Sequence, residues 1–156
     1  MNEKVAKKIG EAYAFANVLQ KLQDDNKEVI KDLLGEYSDS IKENTETQIS
    51  ELTNISEKGD QKETVITKAE KTSNKITEMG NFYVGDDWDD SAEVLEWLSF
   101  FLGAAIVHWQ LILGSAKAMG DESFAQVAES GAAYYFELLQ QSRIKAEEIG
   151  AERSRD

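Results

Sequence analysis

Between Val94 and Leu113 only Glu96, Ser99, His108 and Gln110 interrupt a run of apolar and small residues. Twenty residues at about 1.5 Å of rise each make a helix of roughly 30 Å, long enough to cross a bilayer or to form the spine of a globular core. The minority residues decide between these two fates. Glu96, Gly103, Gln110 and Lys117 recur every seven residues, and Ser99 and Gly114 fall beside them on the helical wheel. Lipid strongly penalises an unpaired Glu96, whereas a core helix can turn such a stripe toward solvent or a partner while its remaining surface is covered. The segment therefore reads as the organising core helix of an all-α domain, and no membrane association is expected.

The rest of the chain supplies helices to pack on it. Val5, Ile9, Tyr13, Ala16 and Leu19 to Leu22 form an amphipathic stripe over about Glu3 to Gln23, with a break at Asp24 to Asn26. Val29, Ile30, Leu33, Leu34, Tyr37 and Ile41 begin a second helix. With no proline in the chain to stop it, that helix is expected to reach about Lys58, ahead of the turn signal Gly59-Asp60, although Gly35 and Ser38 weaken it. A third segment, Gln61 to Met79, has only a thin apolar face, so residues 42 to 80 are expected to be the least stable part. Asn81 to Asp90 reads as a connection whose aromatics cover an end of the core. Asp90 and Glu93 have the spacing of a capping box ahead of a helix from Ser91, which Gly120 ends near Met119. The last helix carries Phe124, Val127, Ala128, Gly131, Tyr135, Leu138, Leu139 and Ile149 and stops at Gly150. Together these elements predict one domain over residues 1 to 156. Its expected form is an up-and-down antiparallel four-helix bundle, with an additional N-terminal helix where the break near Asp24 separates one.

Charge and composition exclude several functions. The formal net charge of −13 opposes binding to phosphate backbones or anionic lipid, so no nucleic-acid partner is expected. The absence of cysteine removes disulfides, thiol nucleophiles and thiolate metal ligands. The N-terminal sequence MNEKVAKKIGEAYAF lacks the apolar core of a secretion signal, and a cytoplasmic location is the expectation.

No catalytic residue, cofactor or metal ligand can be assigned from the motifs. His108 is the only histidine; a 100° step per residue puts it on the side of Trp97 and Phe101, as a packed, hydrogen-bonded ring. A di-iron site would need Glu-x-x-His pairs that are missing. Asp86, Asp87, Asp89 and Asp90 read as capping and solvated residues rather than as a cation loop. Gly114 to Gly120 lacks the strand and spacing of a phosphate loop. The tail Ala151-Glu152-Arg153-Ser154-Arg155 resembles the arginine-bearing end of cobalamin adenosyltransferases, which are helical, ATP-binding trimers. The likeness covers five residues, and the basic, glycine-containing loop of that family has no counterpart in the N-terminal sequence.

Two uses remain for such a bundle. The first is protein association as a homo-oligomer, with Gly103, Gly114 and Gly131 permitting close helix approach at the interface. The alternative is a small-ligand protein or enzyme with an interhelical pocket, its polar contacts drawn from Glu96, His108, Gln110 and Tyr134.

Overall fold

A computed structural model describes residues 1–155. The chain is all-α: α1 (Glu3–Asp25), α2 (Lys27–Leu34), a 3-10 turn (Gly35–Ser40), α3 (Ile41–Lys58), α4 (Lys62–Val84), α5 (Ser91–Met119) and α6 (Glu122–Arg153). It is the expected up-and-down bundle with an additional N-terminal helix, and the stretch read as one second helix is divided into α2, the 3-10 turn and α3. Direction alternates along the chain. Gln23 near the end of α1 donates its side-chain amide to the Ser38 carbonyl, while Met1 at the other end lies against Gly59, so α3 runs back along α1. α4 then runs parallel to α1, with Lys68 beside Glu11 and Gly80 near Leu22.

The break between α2 and α3 has a local cause. Gly35 adopts φ +56° and ψ −131°, a conformation a β-carbon disfavours, and it ends α2 before the 3-10 turn restarts the chain toward α3. Asp90 caps α5 by accepting hydrogen bonds from the backbone N–H groups of Ala92 and Glu93 at 2.8 and 3.3 Å. Gly120, at φ +68°, closes α5 in the left-handed conformation, and Asp121 then caps α6.

The most extensive packing joins α5 to α6 and α1 to α4. α1 is more central than its amphipathic stripe predicts. Ala6, Ile9, Gly10, Ala12, Ala14, Phe15, Ala16, Val18 and Leu19 are all buried, which places neighbours on several sides of one helix. Alanine and glycine let those neighbours come close: a β-carbon on Gly10 would lie 2.7 Å from both the Lys68 Cβ and the Val65 carbonyl oxygen. α5 contributes Leu98, Phe101, Leu102, Ala105, Trp109 and Ile112 to the same core, and α6 adds Phe124, Tyr135 and Leu138. Each fully buried side chain of this size is worth about 1.5 to 3 kcal/mol relative to exposure. Between α3 and α6 the buried Tyr135 hydroxyl donates to the Gln48 side-chain oxygen at 2.9 Å.

Two expectations are corrected here. α4 extends to Val84, so Phe82 and Tyr83 belong to a helix rather than a connection, and Phe82 is 92% exposed instead of covering the core; only Trp88 of that aromatic group packs partly against it. α6 continues past Gly150 to Arg153, whose guanidinium pairs with Asp90 at 3.1 Å and fastens the end of α6 to the start of α5.

α5 is long and apolar enough to cross a membrane, but it is packed as a core helix against α1 and α6, with Glu96 on its open side. That open side is not polar throughout. Phe100, Val107 and Leu111 are 61%, 58% and 49% exposed. The cause is the placement of α4, which packs closely on α1 and touches α5 only sparsely.

Candidate functional site

The divergence of α4 from α5 opens a groove of about 260 Å³ whose floor is α1. Its walls change character along its length. Toward one end lie Trp97, Phe100 and Phe101 of α5 with Ile76 and Met79 of α4; toward the other lie His108, Lys68 and Thr72, with Glu11 and Phe15 rising from α1, and Lys75 stands between the two.

The polar end is an ordered charge cluster. The Glu11 carboxylate, 12% exposed, accepts a hydrogen bond from Lys8 Nζ at 2.7 Å and faces Lys68 Nζ at 3.2 Å and His108 Nε2 at 3.2 Å. Burial by itself would push this carboxyl up. Hydrogen bonds from Lys8 and Lys68, with the charges of Lys8 and His108, outweigh that effect and hold it below the ordinary carboxylate value. On the other side of the imidazole, Nδ1 lies 2.8 Å from the Ala104 carbonyl oxygen and must donate to it. The contact between Nε2 and the carboxylate is a hydrogen bond only when a proton lies between those two atoms. The ring also stacks at a tilt on Phe15, with centroids 5.0 Å apart. His108 is thus held on three sides, by its own helix, by Glu11 and by Phe15.

The four residues considered for ligand contact do not converge. His108 alone lines the groove. Glu96 is exposed on the outer side of α5, where it accepts a hydrogen bond from the Tyr83 hydroxyl at 2.8 Å and so pushes that hydroxyl above its ordinary value. Gln110 is exposed on the same outer side. Tyr134 lies on α6 with its ring edge-on to Tyr135 at 5.5 Å; burial pushes its hydroxyl up to about 12, against the opposing effect of the Ser40 side chain. Glu11, the partner that gives His108 its setting, escapes sequence reading because it lies 97 positions away on another helix. Its only local signal is a lone acidic residue amid Ala, Gly and Ile.

The three glycines also separate. A β-carbon on Gly131 would fall within the indole of Trp109, a contact inside the chain. Gly103 and Gly114 have open space where a β-carbon would stand. Tight packing within the chain therefore does not explain those two, and both border the exposed apolar side of α5. Among the described residues no group of three or more His, Asp or Glu side chains is arranged to hold a metal ion. Asp90 instead divides its carboxylate between the α5 cap and Arg153.

No protein-family model, curated protein or solved structure matches this chain.

Proposed function

We propose that the protein acts through self-association, with the outer side of α5 as the interface between two copies. The observation that carries this reading is the exposure of Phe100, Val107 and Leu111 along one side of a single helix, 61%, 58% and 49% open to solvent. At 100° per residue these three fall within about 40° of one another, and Gly103 and Gly114 border them within a further 40°. An exposed apolar strip of this kind marks an interaction surface.

The order of residues along the strip favours a second copy of the same chain. In a two-fold arrangement with antiparallel α5 helices crossing at Val107, Phe100 of one copy falls opposite Gly114 of the other, and Leu111 opposite Gly103. Large side chains meet glycines in both directions, as a self-complementary interface requires. Glu96 and Lys117 lie at opposite ends of the strip, so each end brings unlike charges together.

Replacement of Val107, which meets itself at the axis, tests this arrangement. Sedimentation of the unmodified chain at micromolar concentration is expected to give the mass of two chains. Val107→Glu, which places two like charges face to face, is expected to give one chain with unchanged helix content and unfolding midpoint. A single-chain mass for the unmodified protein across the concentration range would overturn the proposal.

A further inference from the structure

We propose that the groove between α4 and α5 is a binding site for a medium-chain monocarboxylate, its tail between Trp97 and Met79 and its head at Lys75 and Thr72. The site is separate from the self-association strip in its chemistry, although Phe100 borders both.

The groove is graded from apolar to cationic. Lys68 to Met79 spans eleven steps of α4, about 16 Å of helix, and the wall changes over that length from lysine and threonine to methionine and aromatic rings. A volume of about 260 Å³ lies just below the usual range for small-molecule sites and suits one narrow chain rather than a fused ring system or a second acyl tail.

The charge at the polar end selects the head group. Glu11 is the only acidic residue in the groove lining, and its carboxylate is already engaged by Lys8, Lys68 and His108. Lys75 takes part in no ion pair among the described residues. The groove thus concentrates positive charge in a chain of net charge −13, and Thr72, one turn from Lys75, adds a hydroxyl that can donate. An anionic head is attracted to this end, a cationic head is repelled by it, and a neutral head gains only a hydrogen bond.

Calorimetric titration with decanoate below its micelle concentration, accompanied by tryptophan emission, tests the site. One decanoate per chain is expected. Octanoate, two methylenes shorter, is expected to bind about fifteenfold more weakly, since each fully buried methylene is worth about fourfold in affinity. Decanol and decyltrimethylammonium are expected to bind at least tenfold more weakly than decanoate. Lys75→Glu is expected to reverse the preference between decanoate and decyltrimethylammonium, and Ala104→Trp, which adds an indole on the open wall, to abolish decanoate binding while the helical spectrum is retained. Absence of decanoate binding, equal affinity for the anionic and cationic amphiphiles, or full binding by folded Lys75→Glu would overturn the proposal. Lys75 is exposed, so this variant remains decisive if Ala104→Trp fails to fold.

Discussion

His108 on α5 and Glu11 on α1 meet at 3.2 Å, and this contact joins two helices where Lys68 of α4 reaches the same carboxylate. Because Lys8 and Lys68 converge on the same carboxylate, loss of the Glu11 charge leaves three basic groups facing one another in a partly buried space. Glu11→Gln is expected to lower stability near neutral pH by about 1 to 3 kcal/mol, the usual cost of removing a charged hydrogen-bonding partner from such a cluster. Its pH dependence follows from the lowered pKa in the folded chain. The contribution of Glu11 is fully present above its unfolded value of 4.5 and is lost as pH falls through the lower folded value. Urea unfolding of both proteins should show a gap that is constant near neutral pH and closes on acidification below that value. A gap that widens in acid would contradict the sign.

The contrasting environments of Gly131 and Gly103 give opposite expectations for the same substitution. Gly131→Ala drives a methyl group into the Trp109 indole and is expected to cost about 1 to 3 kcal/mol. Gly103→Ala enters open space and improves helix propensity, so it is expected to stabilise the single chain by up to about 1 kcal/mol. Denaturation of each variant in the Val107→Glu background, which removes self-association from the comparison, measures both signs.

Asp60 is the one non-glycine residue with positive φ among the described residues, at +53°, in the turn between α3 and α4. Gly59 beside it has φ −86°, and its small size instead gives Met1 room to pack there. Asp60→Gly should therefore raise stability by about 1 kcal/mol, because the left-handed conformation is costly for a residue with a β-carbon. An unchanged or lower thermal midpoint would show that the aspartate side chain compensates for its backbone.

Two copies each carrying −13 repel at long range, while the proposed interface is mostly uncharged along its centre. Self-association is therefore expected to strengthen as salt rises from about 0.01 M to 0.15 M, over which the screening length falls from about 30 to 8 Å. Sedimentation equilibrium across that series checks the direction. Strong weakening by salt would point to an interface held by charge pairs instead of the apolar strip.

Helix boundaries were legible wherever a local chemical signal sets them. Asp90, Gly120 and Asp121 mark both ends of α5 and the start of α6 through caps that involve only neighbouring residues, and the observed α5 begins and ends where those signals place it. Relations that depend on three-dimensional neighbours were less visible. The buried alanines of α1 carry little weight in an amphipathic pattern, although their small size is what lets helices approach from several sides. Likewise, the residue that meets His108 comes from the first helix of the chain, 97 positions away in sequence.

The two largest helix pairings impose different demands on folding. α5 and α6 are joined through Gly120 and Asp121 and can form a hairpin after closing a very short loop, whereas α1 meets its parallel neighbour α4 only after the intervening α2, 3-10 turn and α3 have brought the chain back. Loop closure is therefore favoured first at the C-terminal hairpin and last at α1. Conservative core substitutions between α5 and α6 should slow folding, while substitutions of α1 alanines against α4 should chiefly speed unfolding. The helix that ends deepest among its neighbours would then be the last to take its place.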